Sequence, residues 1–235
     1  MSKSYPANLN PAALKLIHIL MEDLNNSHIL ELGCNTGALG EYFKRKYPHK
    51  SLVWQGADYN KTALVQASRR IDSCFYCDLN KLTPSLLRRE CANTPDIVVM
   101  IDTLEHLTDP GRVLSAILTV FPGSKLVVIL PNISCLSVID MLCQSRFDYQ
   151  KYGITDNTHL RFFTLRSALN FFNIHGYRQL HHVEWLIDPS YASLLNQTQF
   201  PFTYELSNAQ ITFISRLDVI EKCSYGFGIV LSPLL

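Results

Sequence analysis

Short apolar runs alternate along this chain with stretches whose apolar residues recur every three to four positions. Ile29–Leu32, Leu52–Ala57, Ile71–Cys77, Asp96–Ile101 and Lys125–Leu130 read as buried strands. Between them the spacing predicts helices over residues 37–47, 61–70, 84–92 and 110–121. An earlier helix opens at Asn10–Pro11 and runs to about Asn25, with Leu14, Ile17, Leu20, Met21 and Leu24 on one face, so residues 1–27 read as a cover for a sheet edge or a ligand mouth. Strict strand-helix alternation implies an α/β fold with a mainly parallel sheet, right-handed crossovers and ligands at the carboxyl ends of the strands.

After Pro131 the alternation stops. A helix is expected over Ser134–Gln144, followed by the polar and aromatic loop Phe147–Gly153. Another follows Thr164, with Leu165, Leu169 and Phe172 on one face, and ends near Gly176. Arg178–Leu186 and Ser224–Leu231 alternate as the last two strands, an antiparallel pair. Asp188–Glu221 is too long for a hairpin turn and reads as a local insertion over the active site, an oligomer contact, or both. Without repeats or linkers, residues 1–235 read as one domain. Residues 131–163 and 188–221 are its candidate acceptor-side segments, and Gly153 is a hinge for a mobile lid made of Ser134–Phe163 and part of Asp188–Tyr204.

Composition narrows the class. An apolar fraction of 47% with 17% charged residues describes an ordinary globular interior, and a net charge of +1 gives no strong electrostatic signal for nucleic acid. Seven scattered cysteines read as reduced, packed thiols, and the lone C-x-x-C of Cys74 and Cys77 falls inside an expected strand. Met1–Asn10 lacks the pattern of a signal peptide and no apolar run reaches bilayer length, so a soluble, cytoplasmic chain without a membrane span is expected.

The chemistry collects at strand ends. Ile29–Leu32 runs into Gly33, which permits a tight turn, and Gly37 lets the next helix begin close against a ligand. A dinucleotide fingerprint would need glycine at Asn35. The second strand ends in Asp58, 21 residues after Gly37, placed to accept hydrogen bonds from both hydroxyls of a ribose. The third ends in Asp78–Leu79, the fourth in Asp102–Thr103–Leu104–Glu105–His106.

This ordered series, with E-x-G-x-x-x-G at Glu31–Gly37, resembles the class I S-adenosylmethionine-dependent methyltransferases. The resemblance implies a Rossmann-like, seven-stranded, mostly parallel sheet closed by a C-terminal antiparallel pair. It also implies that S-adenosyl-L-methionine is the cofactor and S-adenosyl-L-homocysteine the product, held by Glu31, Gly33, Cys34, Asn35, Gly37, Asp58, Tyr59, Asp78, Leu79, Asp102, Thr103 and Leu104, with Asp78 and Leu79 at the adenine. Pro131–Asn132–Ile133, Arg146–Phe147–Asp148–Tyr149 and Gly153–Ile154–Thr155–Asp156–Asn157–Thr158–His159–Leu160–Arg161–Phe162–Phe163–Thr164 further resemble a bacterial MetW-like subgroup associated with surface-polysaccharide synthesis. The likeness covers about residues 28–180, departing at Ser145 and Asn35, where that subgroup tends to carry glycine or another small residue. It implies a small-molecule or glycan acceptor.

A sulfonium methyl is already activated, so the protein must orient the acceptor and remove the proton of a hydroxyl. His159 and His106 are the candidate bases. Each also has a structural reading, His106 as a packing residue beside the adenine and His159 as a pin for its loop through a carbonyl or Asp156. Tyr149, Tyr152 and Arg161 are candidate substrate-binding residues, although Arg161 could equally pair with Asp148 or Asp156. His181–His182 points to opposite faces of a strand, which argues against a metal pair there. Quinone-pathway O-methyltransferases share the acid-x-x-Glu-His and later Thr-His patterns, and a non-catalytic cofactor-binding scaffold is a third reading. Asp102, Glu105, His106 and His159 are expected to converge on one spot, an arrangement resembling small-RNA 2′-O-methyltransferases, which hold a divalent metal there. Aspartate at the first position reaches one methylene less far than glutamate, which favours a metal-free histidine base.

Overall fold

The computed structural model describes residues 9–23, 26–181 and 183–234; the expected end of the first helix at Leu24 and Asn25, most of the Met1–Asn10 segment, and His182 lie outside the described residues. Helix α1 (Pro11–Asp23) starts at proline, and the Asn10 side-chain oxygen accepts the amides of Ala12 and Ala13. Its apolar face, including Leu14, Ile17 and Met21, is buried against the sheet.

Each expected strand-helix unit then follows. They are β1 (His28–Leu32), α2 (Ala38–Lys46), β2 (Val53–Asp58), α3 (Lys61–Ala67), β3 (Ser73–Tyr76), α4 (Pro84–Glu90), β4 (Ile97–Ile101), α5 (Pro110–Val120) and β5 (Lys125–Pro131). Asn60, Thr83 and Asp109 cap α3, α4 and α5 with side-chain oxygens, so three of these helices begin where a strand-end loop supplies a capping acceptor. Helices α6 (Leu136–Cys143) and α7 (Leu165–Ile174) complete the expected set, the latter opened by a capping box of Thr164 and Ser167.

The expected strand over Arg178–Leu186 is two strands, β6 (Tyr177–Gln179) and β7 (Glu184–Ile187). Over residues 188–222 lie a 3-10 turn (Pro189–Asn196), a hairpin of β8 (Phe202–Glu205) and β9 (Gln210–Phe213), and α8 (Arg216–Lys222), elements the sequence reading did not resolve. Strand β10 (Ser224–Pro233) returns to the sheet.

The sheet runs β3-β2-β1-β4-β5-β10, with β6 and β7 both pairing along the far side of β10, so it holds eight strands in seven positions rather than seven single strands. Strands β1 to β5 pair in parallel and β10 pairs antiparallel to β5, β6 and β7. Strand order reverses at β1 and β4, and a crevice opens at the carboxyl ends of strands at such a switch point. One apolar core lies on each face of the sheet; a third cluster, centred on Leu136, Phe213, Val219 and Cys223, fastens the 188–223 segment to α6. That segment leaves and rejoins the sheet at one rung: Ile187 pairs with Ser224, and the Asp188 amide donates to the Cys223 carbonyl at 2.7 Å. Among the described residues no helix is long and apolar enough to cross a membrane.

Candidate active site

The crevice over the switch point has a volume of about 1000 Å³. Its first wall is the β1 turn. Gly33 takes φ +88°, and a β-carbon there would stand 2.6 Å from the Thr103 hydroxyl, so glycine lets the ends of β1 and β4 touch. Gly37, at φ +72°, starts α2, while Asn35 holds φ +46° with its side chain exposed. Gly33 and Cys34 both donate their amides to the Ala57 carbonyl, at 2.8 and 3.0 Å, which seals the turn against β2.

Asp58 is buried, and its two carboxylate oxygens accept the amides of Asn35 and Asn60, each at 2.8 Å. It therefore joins two loops while lining the crevice, and each oxygen keeps a further lone pair for a ligand. Tyr59 and Tyr76 stand exposed at the rim; Asp78 and Leu79 line the floor beside them. Glu31 is buried with one oxygen accepting from the Trp54 indole at 2.9 Å; burial pushes its carboxyl up to about 8, the Trp54 bond working against the rise and nearby Asp58 adding to it.

Asp102 follows β4 at φ +46°, hydrogen-bonded to Asn10. Enclosure by the surrounding protein pushes its carboxyl up to about 6, with the Asn10 hydrogen bond and then nearby His106 opposing the rise. The next turn carries Thr103, Leu104, Glu105 and His106. Thr103 and His106 line the crevice, whereas Leu104 is fully buried beneath it. Glu105 is also fully buried, neither carboxyl oxygen has a hydrogen-bond partner, and burial, followed by the charge of Asp102, raises it well above the usual carboxylate range.

The loop of residues 153–163 packs against that turn. Leu160 and Arg161 donate their amides to the Glu105 carbonyl, at 2.8 and 3.1 Å. The rings of His106 and His159 lie 4.7 Å apart, and His159 Nε2 stands 4.0 Å from Glu105 Oε1. His159 Nδ1 faces the Ile154 carbonyl at 3.0 Å, so Nδ1 carries the proton there. Burial lowers the pKa of this histidine, the Ile154 bond opposing and His106 reinforcing that direction. Glu105, His106 and His159 offer ligand atoms within 4.8 Å of one another. Asp102 is outside that group, so three of the four expected residues converge and the fourth faces the crevice on its own.

Of the two histidines, His106 lines the crevice and His159 sits behind it. Tyr149 and Tyr152 are exposed outside the crevice. Ring contacts nonetheless connect Tyr149 to the site: Tyr149 to Phe147 at 5.3 Å, Phe147 to Phe162 at 5.6 Å, and Phe162 to His159 at 6.3 Å. Arg161 donates to the carbonyls of Thr108 and Leu160, at 2.6 and 3.0 Å, clipping the two loops together. Gly153, at φ +93°, is exposed with open space around it. The sequence reading missed Asn10, Asn60, Asn80 and Thr158, all in the lining. Asn60 and Asn80 each sit two residues past a strand-end acid, a spacing that could have found them; Asn10 and Thr158 arrive only through tertiary folding.

Among the described residues, the lining carries Glu31, Asp58, Asp78 and Asp102 and no lysine or arginine. Residues 5–182 match the family model described as "Methyltransferase domain". Two curated relatives, both ubiquinone biosynthesis O-methyltransferases, are 25% identical over 66% of this chain (Aeromonas salmonicida) and 27% identical over 46% (Nitrosomonas europaea). The matches span 65% and 45% of those relatives' lengths, less than two thirds in each case. A solved SAM-dependent methyltransferase from Anabaena variabilis shares the fold, with a TM-score of 0.60 and 13% identity over 97% of this chain and 86% of its own.

Proposed function

From the premise that this chain belongs to the methyltransferase-domain family, we propose that it moves the methyl group of S-adenosylmethionine onto a hydroxyl of a small, ring-bearing acceptor, with His106 as general base. The observation that carries the cofactor is the charge of the crevice. Four acids and no lysine or arginine line it among the described residues, a lining that suits a net-positive sulfonium ligand, with Glu31 ionising only as the cation binds, and that offers no cation to the phosphates of a dinucleotide. The Gly33 turn, which a β-carbon would fill, and the buried Asp58 carboxylate fit the sugar and the amino-acid end of such a ligand.

Held by the Gly33 turn and Asp58, S-adenosylmethionine would supply an activated methyl carbon and a sulfur able to take back the electrons of the carbon-sulfur bond. The chain's part is to hold the acceptor and accept the hydroxyl proton at His106 Nε2. His159 backs that ring, with Glu105 behind it, whose ionisation burial disfavours. The ring contacts that run from His106 through His159, Phe162 and Phe147 to Tyr149 make an aromatic cluster beside the crevice, which favours a ring-bearing acceptor such as a phenol, in keeping with the named activity of the curated relatives. A sugar hydroxyl, which the 131–164 motifs suggest, is the alternative that the same assay separates.

The unpartnered Glu105 carboxylate favours a second reading, in which Glu105, His106 and His159 hold a divalent cation that acidifies the acceptor hydroxyl. Calorimetry should show binding of S-adenosylmethionine and S-adenosylhomocysteine but not of NAD⁺. Radiolabelled methyl should then appear on catechol-type phenols rather than on sugar acceptors. Failure to bind either sulfur ligand at millimolar concentration removes the proposal. Titration with Mn²⁺ alone separates the two readings of the histidines, since the base reading expects no binding heat and no loss of rate on chelation.

A further inference from the structure

Behind His106 lies a layer of polar contacts that the proposed reaction leaves unused. His106 Nδ1 stands 3.0 Å from the Thr158 hydroxyl and 3.3 Å from the Thr158 carbonyl. The Thr158 hydroxyl in turn donates to Asp156 Oδ1 at 2.6 Å, and the Thr158 amide donates to the same oxygen at 2.8 Å. Donor and acceptor capacities leave one solution. The Thr158 carbonyl only accepts, and an ionised Asp156 only accepts, so the threonine hydroxyl proton is committed to Asp156. Its oxygen can then only receive from His106, which places the imidazole proton on Nδ1 and leaves the Nε2 lone pair unprotonated.

We infer that Asp156 and Thr158 are positioning residues that fix His106 in the Nδ1–H form and so present Nε2 to the crevice. This rests on the proposed role of His106 and holds equally if Nε2 accepts a proton or binds a cation. The three groups span two loops, the turn after β4 and residues 153–163, so docking of one loop on the other completes the histidine. The Thr158 hydroxyl and then its amide hold Asp156 below the usual carboxylate range.

A purely structural account exists, since the Asp156 oxygen and the Thr158 amide alone form a side-chain turn. Substitutions separate the two accounts. Thr158→Val keeps the amide bond to Asp156 and deletes the hydroxyl link to His106. Thr158→Ser restores that link. Asp156→Asn keeps an oxygen able to accept both Thr158 donors and removes the charge. The expected result is a fall in kcat of roughly ten- to a hundredfold in Thr158→Val, with KM for acceptor and S-adenosylmethionine unchanged. Thr158→Ser should recover most of the rate, and Asp156→Asn should lower kcat with melting temperature intact. ¹⁵N NMR of the wild-type protein, recorded where imidazoles are neutral, should show His106 as the Nδ1–H tautomer. An Nε2–H tautomer overturns the inference even if no acceptor is ever found. So does a wild-type kcat in Thr158→Val, or a loss that serine fails to rescue.

Discussion

The two sides of the crevice are held by different kinds of bond. On the cofactor side, backbone does the work: the β1 turn donates amides to Ala57 and Asp58, two glycines take φ angles that other residues resist, and neighbouring strands fix each loop. On the proposed acceptor side, side chains carry most of the contacts that set the site: His106 leans on Thr158 and Thr158 on Asp156, while Phe147, Phe162 and Tyr149 meet edge to face, although backbone carbonyls of Ile154 and Glu105 anchor His159 and the loop beneath them. A backbone-built site tolerates changes of side chain and keeps its ligand; a site built from side chains can change its substrate through one or two substitutions.

If that contrast is right, lesions on the two sides should separate cleanly in kinetics. The largest effect is expected from His106→Ala, which should reduce kcat by about 10²–10⁴-fold while leaving the calorimetric affinity for S-adenosylmethionine as it was. A matching loss of cofactor affinity would show that His106 belongs to the cofactor side. Next comes Asp58→Ala, expected to weaken cofactor binding by ~2–3 kcal/mol, roughly 30- to 150-fold, with kcat at saturation little changed. An affinity unchanged within error would mean that the acid serves only to join the two loops.

Glu31 gives a smaller effect with a definite sign. Burial raises its carboxyl to about 8 in the free protein, whereas a cationic ligand favours the ionised form. Binding should therefore release a proton below pH 8, and affinity should fall by up to about tenfold per pH unit on acidification. For the free protein the linkage runs the other way. A raised acid stabilises the fold fully below its unfolded value of 4.5, and that contribution is lost as pH rises towards 8. Binding enthalpies at pH 7 in buffers of different ionisation heat measure the proton directly; identical enthalpies would place Glu31 outside the linkage.

The smallest effect is expected from Arg161→Gln, which removes the clip to the Thr108 carbonyl and should cost about 1 kcal/mol of stability without altering turnover of a neutral acceptor. Selective loss of activity on an anionic acceptor would return Arg161 to the substrate.

The same contrast explains what the sequence could reveal. The crevice positions of Gly33, Asp58 and Asp78 are legible because a strand, a turn and a helix following in order leave few residue choices, whereas Gly37 does not line the crevice and gives its space to Ala67 of α3, 3.1 Å from where a β-carbon would stand. Helix starts were equally legible, Thr164 and Asp109 being capping acceptors before an apolar period. The division into β6 and β7 was not, since the alternation runs on past Gln179, where β6 ends. Nor was the β8–β9 hairpin, whose apolar positions face the small cluster under α6 rather than the main core. Asn10 and Thr158 reach the crevice from distant stretches of chain, and short-range pattern contains no record of that meeting.

Because residues 188–223 depart and return at the single rung formed by Ile187 and Ser224, their two ends are already joined by the sheet, whatever lies between them. The segment is an exchangeable cassette. Lengthening it adds only slowly to the entropy of closing a loop, and replacing it need not shift one pairing of β1 to β5. Its anchor outside the sheet is the apolar patch on α6 around Leu136, supplemented by Asp140 receiving the amide and hydroxyl of Ser207. Exchange of that one excursion would leave the crevice as it is, since no residue of 188–223 lines it.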